Sequence, residues 1–331
     1  MGSSIMAENT VSATPNPLIT VFVLNWNRRD DLLEALKSVR KQTYQPIEML
    51  VVDNGSTDGS AEAVEREFPE ARVVRLDKNY GCPGGRNRGI VQARGEFIFF
   101  LDNDGLLHEQ AVEIAYKTIS QDNRIAIVSA KTIYYKTGED RFLFGHGKDM
   151  VNEHFYTASF SGGASLHRAS IYKEIGVYPD NYMYGGEETN MAMRLIDRGY
   201  LIFYEPQVIM YHKMLDSARD RRREFLSRCS NALATAWELY PVELAVWYTI
   251  RSLAVQSWRA LRSKALLMWI SDTPRRIKRS LQAAFVDRRP ISRRTMITLH
   301  KYDRNVIRKP EDINRISMSY PQFFLRFILG R

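Results

Sequence analysis

Residues 47–68, IEMLVVDNGSTDGSAEAVEREF, pass from a β-branched apolar run through a polar, glycine-bearing loop into a helical pattern. The run at 47–52 has the composition of a strand, and Ser60 or Asp58 supplies a cap for a helix at 60–68. The same unit recurs on both sides. Strand-like runs lie at 19–24 (ITVFVL), 71–76 (ARVVRL), 97–101 (FIFFL) and 125–130 (IAIVSA), with helical patterns at 31–42, 85–94 and 108–120. Strand and helix alternating in this way predict an α/β domain with a mostly parallel sheet and flanking helices. In such sheets ligands bind beyond the carboxyl ends of the strands, so chemistry belongs in the loops that follow them.

Four of those loops are polar: Asn25-Trp26-Asn27-Arg28, Asp53 to Ser60, Asn79-Tyr80-Gly81, and Asp102-Asn103-Asp104. The last is the sharpest signal. Two carboxylates one residue apart after an apolar strand can face a divalent cation bound to diphosphate oxygens, because Mg²⁺ prefers one or two carboxylates plus phosphate. A turn ending in a helix cap accounts for the same triplet. The Asp53–Ser60 loop reads either as an Asx turn with an N-cap or as a nucleotide site, where carboxylates accept from a base imide and ribose hydroxyls and Gly55 permits close backbone approach. GCPGGRN, residues 81–87, opens a helix and presents backbone N–H groups and Arg86 to an anion.

Taken in order, VLNWNR, VVDNGSTDGS, NYGCPGGRNRG and FLDND resemble family 2 of the inverting glycosyltransferases, over about residues 18–217. The resemblance implies the GT-A (Rossmann-like) fold, a nucleotide diphosphate sugar donor, UDP- or dTDP-linked, and Mg²⁺ or Mn²⁺ as cofactor. It assigns nucleotide roles to Asn25, Asp53 and Asp58 and metal roles to Asp102 and Asp104. The wider set of candidate nucleotide contacts is Asn25, Asn27, Asp53, Asn54, Ser56, Asp58, Asn79, Gly81, Arg86, Asn87, Asp102 and Asn103. SGGASLHR at 161–168 is similar to the segment that borders the acceptor, and Tyr184-Gly185-Gly186-Glu187-Glu188-Thr189-Asn190 to the stretch that carries the base. Glu188 stands where the family has Asp, and Asn190 replaces a second Asp. An inverting transfer needs a carboxylate opposite the leaving diphosphate, so Glu188 is the candidate base, with Glu187 as the alternative. A first-turn acid favoured by the helix dipole is the plainer account of Glu188. His212 closes a strand-like run and is a third metal ligand or a structural histidine. Bacterial polysaccharide or glycolipid assembly, including rhamnosyltransferase-like members, is the setting the family suggests.

Of 331 residues, 44% are apolar and 26% charged, as in folded proteins. The two cysteines, Cys82 and Cys229, form no CxxC or Cys/His cluster, which argues against a disulfide framework and for a cytoplasmic, reducing setting. The first 17 residues read as a disordered leader, and no spanning helix is expected. Helix at 187–198 and strands at 201–204 and 208–211 complete the second half of the domain. Residues 1–218 hold 23 Lys/Arg against 29 Asp/Glu, whereas 219–331 hold 24 against 9. The region from 218 onward is therefore expected to be a helical, basic appendage, regular to about residue 285. Trp247, Trp258 and Trp269, spaced by eleven, would share one face of a continuous helix. That face suits a peripheral site on an anionic membrane or a lipid-linked acceptor, or packing on the catalytic domain or a second copy in a homo-oligomer; nucleic acid is not the expected partner. Rival functions are a sugar nucleotidyltransferase, which would need a Lys-bearing phosphate loop that NWNRRD lacks, and a nucleotide-sugar-binding protein without a base, hinted at by Asn190.

Overall fold

A computed structural model describes residues 16–141, 148–182, 185–213, 221–262, 266–315 and 317–329. Tyr184, Ser217 and most of the expected leader lie outside the described residues. In chain order the elements are β1 (Ile19–Asn25), α1 (Arg29–Arg40), β2 (Ile47–Asp53), α2 (Ser60–Glu67), β3 (Arg72–Arg75), α3 (Gly81–Ile90), β4 (Phe97–Asp102), β5 (Gly105–Leu107), α4 (Ala111–Ile119) and β6 (Ile125–Tyr134). There follow β7 (Asp140–Arg141), β8 (Phe155–Thr157), β9 (Ala164–Arg168), α5 (Ile171–Ile175), α6 (Glu187–Asp197) and β10 (Leu201–His212). The C-terminal helices are α7 (Arg221–Leu239), α8 (Val242–Arg262), α9 (Leu266–Ser271), α10 (Thr273–Phe285), α11 (Arg293–Arg304), α12 (Asp312–Arg315) and α13 (Tyr320–Leu329).

One sheet runs in the order β3-β2-β1-β4-β9-β6-β10-β5, with β7 on β6 and β8 on β10. Strands β3, β2, β1 and β4 are parallel, β9 is antiparallel between β4 and β6, and β10 is parallel to β6. Alternation along β1 divides the core: Val21 and Val23 join the cluster under α1 and α4, while Phe22 joins the one containing Ile90 of α3 and Met191 and Leu195 of α6. Helix α3 reaches this position because it has little side chain on one face. A Cβ at Gly89 would lie 2.0 Å from the Phe22 ring.

Several expectations need correction. The helix expected at 85–94 begins at Gly81 and ends at Ile90. The strands expected at 201–204 and 208–211 are one strand, β10, with a register shift between Glu205 and Ile209 that absorbs the polar Glu-Pro-Gln step. The C-terminal region stays helical beyond residue 285, through α11 to α13. Trp247 and Trp258 sit on α8, 39% and 55% exposed, but Trp269 is on the separate α9, 4% exposed and stacked 3.3 Å under the Arg276 guanidinium. The three rings do not form one stripe.

The C-terminal helices also fasten back to the sheet domain. Leu239, Leu244, Met296, Tyr302 and Phe323 belong to the same apolar cluster as β1 and α1. Tyr156 N–H donates to the Ile307 carbonyl at 2.7 Å, and Ser292 N–H and Thr295 Oγ1 donate to Asp197 at the end of α6 at 2.9 and 2.7 Å.

Candidate active site

The parallel register brings the ends of β1, β2 and β4 to one edge, with Asn25 beside Asp53 and Leu24 beside Asp102. A cavity of about 830 Å³ opens there, lined among others by Asn25, Trp26, Asn54, Asn79, Asp102 and Asn103. Two asparagines knit its floor. Asn25 Oδ1 accepts from Asn103 Nδ2 at 2.9 Å, while Asn25 Nδ2 donates to Asp53 at 3.4 Å and Ser56 at 3.3 Å. Asn54 donates to Asn79 Oδ1 and the Gly81 carbonyl at 3.0 and 3.1 Å and accepts from Tyr80 N–H.

The other sequence candidates divide by what their polar atoms already do. Asp53 accepts from Ser56 N–H at 3.1 Å, and Asn27, held at φ 50°, accepts from Thr57 N–H at 2.7 Å. The oxygens of Asp58 cap two helices, accepting from Arg29 N–H at 2.9 Å and from Ser60, so its Asx-turn reading describes its contacts. Gly55 needs its φ of 76° for the turn, and its close approach is to the Lys78 backbone, 2.7 Å from an added Cβ. Asn87 spends its amide on Tyr178, accepting from N–H at 3.0 Å and donating to the carbonyl at 2.8 Å. It holds α3 to the loop after α5.

Asp102, Asp104 and His212 converge, each offering a ligand atom within 4.8 Å of the others. The fold accounts for this: Asp104 precedes β5, and β5 pairs antiparallel with β10 so that Gly105 sits opposite His212. His212 Nε2 lies 3.0 Å from Asp104 Oδ1 and 3.6 Å from Asp102 Oδ2. Arg141 Nη1 is 3.2 Å from Nδ1. Burial would raise the Asp104 carboxyl, but the hydrogen bond and charge of His212 and the charge of Arg28 outweigh it and hold the group below its ordinary value. Two carboxylates and an imidazole suit Mg²⁺ or Mn²⁺. The Asp102 carboxylate faces the cavity and is backed by Gly163, where a Cβ would lie 1.9 Å from it. The residues present therefore fit a divalent ion.

Arg86 joins this cluster to the glutamates. It is buried over the Phe100 and Tyr178 rings, 3.7 Å from Asp102, 3.9 Å from Glu187 and 3.5 Å from Glu188. Glu188 is partly exposed and packs on Gly162, where a Cβ would meet its Oε1 at 2.1 Å. Glu187 is buried, its Oε2 without a hydrogen-bond partner among the described residues, and burial followed by the charge of Glu188 pushes its carboxyl up to about 7 against the pull of Arg86. Asn190 points elsewhere. It donates to Glu238 of α7 at 2.8 Å and accepts from Arg194 at 2.9 Å.

Sequence reasoning missed Arg141 behind His212, Arg28 beside Asp104 at 3.7 Å, and the half-exposed Trp26 in the cavity lining. It also missed the contribution of the C-terminal helices to that lining, through Glu224, Ser227, Met268, Asp272 and Arg275. Trp26 and Arg28 lay in a loop already singled out; the helical residues carry no local signal, because only the tertiary fold brings them near residue 25.

Residues 20–176 match the family model described as glycosyl transferase family 2. Glycosyltransferase AglE of Haloferax volcanii is 26% identical over 69% of this chain and 77% of its own length. The chain spans less than half of the next three curated relatives it matches. Among solved structures, the mannosyltransferase PcManGT of Pyrobaculum calidifontis in complex with GDP-Man and Mn²⁺ superposes with TM-score 0.55 at 18% identity, over 82% of this chain and 88% of that one. TarS 1–349 of S. aureus in complex with UDP gives 0.57 at 19%, over 95% and 92%. These likenesses establish the fold, which is GT-A.

Proposed function

Residues 20–176 of this chain are a glycosyl transferase family 2 domain, and on that premise we propose an inverting transfer from a nucleotide diphosphate sugar, UDP- or dTDP-linked, to an acceptor hydroxyl. The observation that carries the proposal is the Arg86 junction, which places Asp102 and Glu188 against one guanidinium at 3.7 and 3.5 Å. In this reading the leaving-group end and the base end of a single displacement lie on either side of Arg86.

Asn25, Asp53, Asn54, Asn79 and Asn103 present the donors and acceptors that a nucleotide needs, while their mutual hydrogen bonds keep the loops in place before it arrives. Asp102, Asp104 and His212 would hold Mg²⁺ or Mn²⁺, which supplies charge neutralisation for the departing diphosphate. Glu188, partly exposed against Gly162, takes the proton of the acceptor hydroxyl, and Arg86 orients its carboxylate. Glu187 is too buried for that task and sits behind it. The contacts of Asn190 within a buried network on α7 remove the hint that a base has been lost. The PcManGT complex with GDP-Man and Mn²⁺ and the TarS complex with UDP support a nucleotide-sugar reading on the same fold.

Bacterial polysaccharide or glycolipid assembly at the cytoplasmic face is the setting we infer. Its support is the exposed apolar and basic face of α8 to α10, since no described helix is long and apolar enough to cross a membrane. A screen of UDP-, dTDP- and GDP-sugars should find one whose nucleoside diphosphate is released only with Mn²⁺ or Mg²⁺. Asp104→Ala should abolish that release and the metal dependence of nucleotide binding. Release that Asp104→Ala leaves unchanged would eliminate the metal assignment.

A further inference from the structure

One wall of the cavity is built from the C-terminal helices. Glu224, Leu226 and Ser227 of α7, Met268 of α9, Asp272 at the start of α10, and Arg275 line it together with the strand-end loops. All of these residues lie outside the stretch, residues 20–176, that matches the family model.

Helix α7 is also the helix that holds the base-bearing segment. Asn231 Nδ2 donates to the Gly185 carbonyl at 2.6 Å, just before α6. One turn and more further along each helix, Glu238 of α7 accepts from Asn190 of α6 at 2.8 Å. The α7 wall therefore adjoins Glu188, and Arg86, which touches Glu188 at 3.5 Å, lines the same cavity. An acceptor hydroxyl has to reach that end.

We propose that the wall formed by α7, α9 and α10 is the acceptor subsite, and that it binds a hydroxyl-rich sugar ring of the acceptor. The proposal rests on the glycosyltransferase reading above and adds the chemistry of the second substrate. Leu226 and Met268 supply apolar surface for the C–H face of a ring, while Glu224 and Asp272 accept hydrogen bonds from its hydroxyls and Ser227 adds a third polar contact. Arg228 stands 2.9 Å from Glu224, and Arg275 and Arg276 stand 3.9 and 3.8 Å from Asp272. These pairs hold the carboxylates in place. An ionised carboxylate offers about four acceptor sites, so one ion pair leaves capacity for hydroxyls.

The test is binding of p-nitrophenyl glycosides of neutral hexoses and 6-deoxyhexoses to the full chain with UDP and Mn²⁺, followed by saturation-transfer NMR and titration. At least one glycoside should bind, and Asp272→Asn and Glu224→Gln should each weaken it by about tenfold or more, the scale of a hydrogen bond to a charged group. Met268→Ala, which leaves every ion pair intact, should weaken it as well and serves if either carboxylate variant fails to fold. No binding across the panel, or binding that the folded variants leave unchanged, overturns the proposal. Failure of the donor reading shows separately, as absence of Mn²⁺-dependent binding of UDP, dTDP or GDP to the unaltered protein.

Discussion

Glu187 and Glu188 are neighbours in sequence and opposites in environment. Glu188 is partly exposed, while Glu187 is buried with its carboxyl raised to about 7 by burial and by the adjacent charge. Glu188→Gln keeps size and removes proton acceptance, so kcat should fall by at least ~10²-fold with UDP affinity nearly unchanged. Steady-state kinetics beside a binding titration measure this; if Glu187→Gln shows that loss instead, the roles are exchanged. Glu187 carries its own pH signature. Its raised pKa favours the protonated form in the folded state, so the associated stability is present below the ordinary carboxylate range and declines as pH rises toward about 7. Glu188, Arg86 and Arg228 are the charged groups that face it. Melting temperature should therefore drop across that window in the unaltered protein, and Glu187→Gln should flatten the drop; parallel curves would refute the buried-acid account. Asp102 and Asp104 stood out in the sequence because they share a short local pattern. The carboxylate contacts of Arg86 did not, since Asp102, Glu187 and Glu188 are brought to it from distant parts of the chain.

Among the elements, the strands of the parallel half were readable to within a residue or two because β1, β2 and β4 are short β-branched or aromatic runs that are largely buried. Helix α3 was placed four residues late, because four glycines and a proline in Gly81–Ile90 argue locally against helix. Packing of that bare face against Phe22 and Leu24 overrides propensity there. A different tertiary effect explains Asn190. An Asp in its place would lose the donor to Glu238 and set two carboxylates together inside the protein, next to Arg194 and Arg289, which pairs with Glu238 at 2.7 Å. Asn190→Asp should cost about 1–3 kcal/mol in urea unfolding, the scale of a buried polar group losing its partner. Adding Glu238→Gln should recover much of that loss, as expected of residues in direct contact. Independent, additive effects of the two substitutions would show that α6 and α7 are not coupled through this bond.

For the whole molecule, the charge asymmetry that sequence alone exposed now has a location. The region from 219 carries 24 Lys/Arg against 9 Asp/Glu, and α8 to α10 present Ile250, Trp258, Leu261, Leu267, Ile270 and Phe285 to solvent. Arg251, Arg259, Arg262, Arg275 and Lys278 lie on the same helices and are exposed. Scattered apolar side chains are ordinary on a protein surface, but so many on adjoining helices, interleaved with cations, mark a surface that binds something. An anionic bilayer satisfies both halves of that composition: the rings and aliphatic chains enter the interface, and each basic residue near the headgroups contributes about 1 kcal/mol. The acceptor wall on α7, α9 and α10 belongs to the same helical region, so docking there would bring a lipid-linked acceptor close to Glu188. Co-sedimentation with vesicles containing phosphatidylserine should exceed that with neutral phosphatidylcholine vesicles and should weaken between low and physiological salt, because screening shortens the reach of the charges to about 8 Å. Trp258→Glu should reduce binding to the anionic vesicles without changing the melting temperature, its ring being more than half exposed. A homo-oligomer interface predicts instead a salt-insensitive dimer by light scattering and no preference for anionic vesicles, and that pair of results would sink the membrane proposal.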